Sequence, residues 1–174
     1  MPVTHEPDIA EPGADQLGSG GRPSFRRVLV PIRAAADAAQ TLTVAARACS
    51  WTNGTLRLLH VRAFDPPVRG YGRFYPQTLS EAAAVPDEAL PVIWAYGVTA
   101  TTAIVDAPRG GIGAAIAQHA AAWHADLIVL TRRASPAICR LVLGSVPDEV
   151  MRKASCPVLA VHPAPKAARP DRSI

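Results

Sequence analysis

The sequence predicts an α/β fold in which a five-stranded parallel sheet lies between two layers of helices. Two observations lead there. Short Val-, Ile- and Leu-rich runs of strand length alternate with segments whose apolar residues recur at helical spacing. The runs also lack the polar alternation of a half-solvated strand, as expected for strands covered on both faces. Strands separated by helices imply right-handed crossovers and hence a parallel sheet. At 174 residues, 49% hydrophobic and 18% charged, the chain has the size and composition of one globular domain.

Arg27 to Ile32 is the first strand. Ala38, Leu42, Ala45 and Cys49 then mark a helix that Asn53-Gly54 stops. Leu56 to Val61 is the second strand. The next helix is expected as two short pieces, Thr78 to Val85 and Pro86 to Tyr96, because an interior proline costs roughly 3 kcal/mol. Val98 to Val105 is the third strand, and Gly110-Gly111 opens a helix from Ile112 to Trp123. Asp126 to Leu130 is the fourth strand. The loop Thr131-Arg132-Arg133-Ala134-Ser135-Pro136, a turn at Gly144-Ser145, a short helix and a last strand, Pro157 to Val161, complete the pattern.

Residues 25 to 163 form the expected domain. Residues 1 to 24 combine Pro, Gly and acids with too little apolar surface to offset ordering entropy, and they are expected to be a disordered tail, as are residues 164 to 174. Four acids against Arg22 make the first 24 residues net −3, which leaves the remainder at +7 within an overall +4. No apolar run approaches the roughly 20 residues that span a bilayer, and the N-terminus lacks a basic start and an apolar signal core. A cytoplasmic protein is expected. Three cysteines, Cys49, Cys139 and Cys156, without Cys-x-x-Cys spacing, indicate neither a disulfide framework nor a zinc site. Cys49 reads as core. Cys139 reads as an inert small residue or a redox-sensitive thiol.

The segment from about Phe25 to Pro163 resembles the universal stress protein family. The resemblance rests on Val28-Leu29-Val30-Pro31, Leu58-Leu59-His60-Val61, the ending Ser155-Cys156-Pro157-Val158-Leu159, and the frame Thr131-x2-Ala134-x9-Gly144-Ser145. Nucleotide-binding members of that family carry Gly-x2-Gly-x9-Gly-Ser/Thr in this frame, so the spacing is kept while both leading glycines are replaced. They also usually carry an acid where Arg33 stands. The resemblance implies strand order 3-2-1-4-5, dimerisation through the last strand (Val158, Leu159 and Val161), and a stress-response regulator or ligand-sensing module with a degenerate site for ATP or another adenine nucleotide. The alternatives are an interaction scaffold that binds no nucleotide, and a slow ATPase or nucleotidyl transferase.

In an open α/β sheet, ligands bind beyond the strand carboxyl ends where strand order reverses, here between the first and fourth strands. The candidate ligand-binding residues are Pro31, Ile32, Arg33, Val61, Leu130, Thr131, Arg132, Arg133, Ala134, Gly144, Ser145 and Val146. A helix N-terminus and arginines at this edge suit an anion. Ser145 also reads as an N-cap, and His60 as a hydrogen-bonded core residue. Asp37 and Asp106, the nearest acids, are equally explained by charge compensation at helix N-termini. His119 and His124 have no metal-ligand partner at the right spacing, so no metal is expected. With no Ser/His/Asp or Cys/His arrangement, catalysis has no support. The basic domain carries no recognisable nucleic-acid motif. The Asp65 to Pro76 loop, rich in aromatics and arginines, is either a lid or an ordinary surface loop.

Overall fold

A computed structural model describes residues 25–67, 72–132 and 146–162 of the 174-residue chain. The elements run β1 (Arg27–Pro31), α1 (Ala35–Ser50), β2 (Thr55–Phe64), α2 (Leu79–Trp94), β3 (Thr99–Pro108), a short 3-10 turn (Arg109–Gly111), α3 (Ile112–Ala122), β4 (Leu127–Thr131), α4 (Val146–Lys153) and β5 (Val158–Val161). All strand pairs are parallel and the order is β3-β2-β1-β4-β5, as the resemblance implies.

Alternation along the central strands divides the core into two layers. Val28 and Val30 of β1, with Leu127 and Val129 of β4, pack with Ala38, Leu42, Ala45 and Cys49 of α1 and with Ala89 and Ile93 of α2. Leu29, Ile128 and Leu130 face the opposite way, onto Ile116 and Ala120 of α3 and Val150 of α4. Both faces of β1 and β4 are therefore dry, the reason their sequences are uninterrupted apolar runs.

The turn after α1 follows its sequence signal. Asn53 takes φ 50°, the Gly54 N–H donates to the Cys49 carbonyl at 3.0 Å, and a Cβ on Gly54 would lie 2.6 Å from the Phe25 carbonyl oxygen. Only glycine admits the chain entering β1 so closely. Between α3 and α4, a Cβ on Gly113 would meet the Glu149 side chain at 2.6 Å, so this glycine lets the two helices approach and seats a carboxylate against the first turn of α3.

The second helix departs from expectation. It is one element of 16 residues, with Pro86 and Pro91 inside it. Ala82, Pro86, Ala89 and Ile93 fall at i, i+4, i+7 and i+11 and are all buried, so Pro86 itself is part of the packed stripe. A complete capping box at Thr78 and Glu81 fixes the start. Tertiary burial and the cap together outweigh the hydrogen bonds that the prolines remove.

Strands β2 and β3 are longer than the pattern suggested. They pair over ten residues, from Thr55 opposite Thr99 to Phe64 opposite Pro108, whereas β1 ends opposite Leu59. The extra length forms a two-stranded arm on one side of the carboxyl edge. Arg62 donates two hydrogen bonds to Asp106 across it, at 2.8 and 2.7 Å, and lies over the Tyr75 ring at 4.2 Å. Arg109 donates to both carboxylate oxygens of Asp65, at 2.8 and 3.1 Å. Asp106 thus belongs to a strand and compensates no helix. These bonds hold both carboxyl groups below the usual carboxylate range.

Candidate functional site

Beyond the carboxyl ends of β1 and β4 lies a cavity of about 240 Å³. Its walls come from Pro31 to Ala34 at the end of β1, Leu59 to Val61 on β2, Leu130 and Thr131 at the end of β4, Ile112 and Ile116 on α3, Val146 and Pro147 at the start of α4, and Asp37 and Ala38 in the first turns of α1. Each contribution follows from topology. Where order reverses, the crossovers after β1 and β4 leave on opposite faces and open a gap between them.

The interior is chiefly apolar, with four polar side chains among the described lining residues. His60, 4% exposed, places Nδ1 3.0 Å from the Ile32 carbonyl oxygen and Nε2 2.8 Å from Oε1 of Gln77. It is the hydrogen-bonded core residue expected, and it also forms part of the cavity wall. Thr131 shares a 2.7 Å hydrogen bond with Thr41 of α1, itself 1% exposed. Arg33 and Asp37 stand one helical turn apart at the rim, Arg33 Nη2 donating to Asp37 Oδ2 at 3.4 Å, and both are substantially exposed. The rim therefore carries both a donor fork and a carboxylate.

Of the twelve residues read from the sequence, the structure brings Pro31, Ile32, Arg33, Val61, Leu130, Thr131 and Val146 together around this cavity. Arg132 does not line it; its backbone N–H donates to the Val161 carbonyl at 2.8 Å, continuing the β4–β5 ladder. Arg133, Ala134, Gly144 and Ser145 lie outside the described residues, as do Cys139 and Arg140. Ala34, Ala38, Leu59, Ile112, Ile116 and Pro147 were not anticipated. Asp37 was read only as a helix-end acid. The parallel topology carried the missing signal, because every βα crossover starts its helix at this edge.

Thr131 is the last residue of β4 and is not among the non-glycine residues with positive φ, Asn53 and His124. Residues 72 to 76 of the aromatic loop do not line the cavity: Phe74 bridges to Asp65 with hydrogen bonds of 2.9 and 3.3 Å, and Arg73 lies over the Phe64 ring at 4.7 Å. The described part of this loop is docked on the β2–β3 arm. Among the described residues no group of His, Cys, Asp and Glu is placed to hold a metal ion, and no helix is long and apolar enough to cross a membrane.

Residues 24–162 match the model of the universal stress protein family. The chain belongs to that family. Solved structures of universal stress proteins share its fold. One from Archaeoglobus fulgidus is 19% identical, with a TM-score of 0.61 over 78% of this chain and 98% of its own. A universal stress protein in complex with cAMP is 22% identical, with a TM-score of 0.60 over 80% and 98%. A second from Archaeoglobus fulgidus, in complex with dAMP, is 20% identical, with a TM-score of 0.59 over 79% and 98%. No curated protein matches the sequence. Thr131 and Arg33, the positions at which the resemblance implies a glycine and an acid in nucleotide-binding members, both line the cavity of this universal stress protein.

Proposed function

We propose that this universal stress protein is a ligand-sensing regulator, not an enzyme, whose carboxyl-edge cavity takes an adenine nucleotide. The supporting observation is the cavity itself, apolar within and bordered by Arg33 and Asp37. Ligand cavities commonly measure about 300–1,000 Å³, so a site slightly below that range suits one compact planar group inside, with charged parts left at the rim. Asp37 supplies a hydroxyl or amine acceptor close to the position where the family's acid is replaced by Arg33. The complexes of two relatives with cAMP and dAMP favour the same ligand class. In this reading the protein works in the cytoplasm as a homodimer joined through β5, where Leu159 is 42% exposed on a strand at the end of the sheet.

Titration calorimetry of ligand-stripped protein with ATP, AMP and cAMP tests the site. Saturable binding of at least one nucleotide, abolished in the folded Ala34→Trp variant that fills the rim, is the expected result. Heat no greater than dilution for all three removes the nucleotide reading. The second reading, a scaffold that binds no nucleotide, is favoured by one observation: the Thr131 hydroxyl is already engaged by Thr41.

A further inference from the structure

The edge opposite the cavity carries an unusual surface. Trp51, which caps the end of α1, is 84% exposed, and Trp94, the last residue of α2, is 59% exposed. Tryptophan is the largest apolar side chain and is highly buried on average. Both helices end at the amino edge of the sheet, and α1 and α2 cover the same face of it. The same edge is basic. Exposed Arg26 and Arg27 enter β1, Arg27 Nη1 donating to the Trp123 carbonyl at 3.2 Å, Arg47 lies in the last turn of α1, and on the α3 side of the sheet Arg57 lies over the Trp123 ring at 4.5 Å.

The acids nearby offset little of this charge. Asp126 has its carboxylate turned onto the backbone N–H groups of Arg26 and Arg27, at 2.7 to 3.1 Å. Glu149 pairs with Lys153 of α4, and Asp87 and Glu88 lie about two turns back on α2. Burial and neighbouring positive charge act together on two groups here. Burial first and Arg27 second draw the Arg57 pKa down, and burial first and Arg57 second draw the His119 pKa down.

The sequence contains a segment of complementary charge that enters the fold at this place. The 24 residues before Phe25 carry Glu6, Asp8, Glu11 and Asp15 against Arg22, with Val3, Ile9 and Leu17 spaced among them. The chain arrives at the tryptophan surface directly: the Phe25 carbonyl accepts a 2.6 Å hydrogen bond from Thr52, the neighbour of Trp51. A 24-residue segment can reach about 80 Å when extended, about twice the diameter of a domain this size, so length sets no limit. We infer that the acidic segment of residues 1–24 docks in cis on the amino edge, its carboxylates facing Arg26, Arg27 and Arg47 and its apolar residues covering Trp51 and Trp94.

Hydroxyl-radical footprinting of the full chain, read at each tryptophan by mass spectrometry, tests this. One comparison is with full-length protein carrying Glu6→Gln, Asp8→Asn, Glu11→Gln and Asp15→Asn, changes that leave the sequence of residues 25–162 untouched. A second is with Arg47→Glu. In the parent at low salt, Trp51 should oxidise at least threefold more slowly than in either variant, Trp94 should follow it, and half-molar sodium chloride should abolish the difference. Trp123, stacked on Arg57, should be unchanged. Equal Trp51 oxidation in parent and variants overturns the proposal. Protection that grows with protein concentration overturns it in favour of a second copy. An open Trp51 that a single-stranded oligonucleotide protects overturns it in favour of an external polyanion.

Discussion

Thr41 in the middle of α1 and Thr131 at the end of β4 share a hydrogen bond of 2.7 Å, although 90 residues separate them. The sequence resemblance implies glycine at the second of these positions in nucleotide-binding members of the family. Here the β-branched residue suits a strand end, and its hydroxyl is held by a helix residue that is 1% exposed. The exchange at Thr131 is therefore matched by a polar partner inside the α1 layer.

The pair should behave as a unit in stability. Thr41→Val or Thr131→Val alone leaves one hydroxyl without its partner, and each should lower unfolding free energy by about 1–3 kcal/mol. The double variant should lose less than the sum of the two. A double-mutant cycle in urea checks this. Strict additivity would mean that the two hydroxyls do not depend on each other.

Pro91 lies inside α2 and is exposed, whereas Pro86 is buried in its core-facing stripe. Pro91→Ala restores a backbone donor to the helix without removing packing. Set against the entropy that proline removes from the unfolded chain, it should stabilise by about 2 kcal/mol. Pro86→Ala should gain less, because it also deletes buried contact. Thermal unfolding of the two variants side by side decides, and equal gains would mean that Pro86 contributes nothing by burial.

The order and type of the elements were legible because their signals are local: apolar runs of strand length, helical spacing, and Asn53-Gly54 at a helix end. What escaped is set by partners distant in sequence. The prolines argued for a break in α2, but Ala82, Ala89 and Ile93 bind that helix to the sheet on either side of Pro86. The β2–β3 arm depends on Arg62 meeting Asp106 and Arg109 meeting Asp65, pairs 44 residues apart. At the cavity, strand-end residues such as Pro31, Leu130 and Thr131 were legible as neighbours of the carboxyl edge, while Asp37, Ile112 and Pro147 join the lining only once the crossovers are folded.

Cys49 is fully buried, and burial first, then the charge of Asp126, pushes its thiol from 9.0 up to about 12. A thiol with a raised folded-state pKa leaves stability intact below the unfolded value and withdraws it as pH rises towards the folded value. Between pH 9.0 and about 12 the unfolded chain ionises this group while the folded chain does not. The thiol should then remove up to about 1.4 kcal/mol of stability per pH unit. Urea unfolding of the parent at pH 9 and 10.5 should show a steeper loss than Cys49→Ala over the same interval. Parallel slopes would mean that the buried thiol ionises alike in both states.

If β5 forms the dimer contact, Leu159 is the side chain to change, being exposed on the last strand of the sheet. Leu159→Arg places an unpaired charge in that contact, and sedimentation velocity should shift towards monomer with the far-ultraviolet circular dichroism unchanged. A dimer peak that persists in the folded variant would place the contact elsewhere.

The strongest test of the nucleotide reading reverses the departures at the cavity. Arg33→Asp restores the family's acid, and Thr131→Gly with Ala134→Gly restores its leading glycines. The combined variant should bind ATP at least tenfold more tightly than the parent, a change of about 1.4 kcal/mol that calorimetry measures directly. Two costs are visible beforehand. Aspartate at position 33 stands one turn from Asp37 in place of an ion pair, and glycine at position 131 leaves the Thr41 hydroxyl without its partner, so folding is verified first. Adding Thr41→Val to the variant relieves the second cost without touching the cavity lining. If this folded quadruple variant binds ATP no better than the parent, Arg33 and the missing glycines are not what limits the site, and the scaffold reading gains.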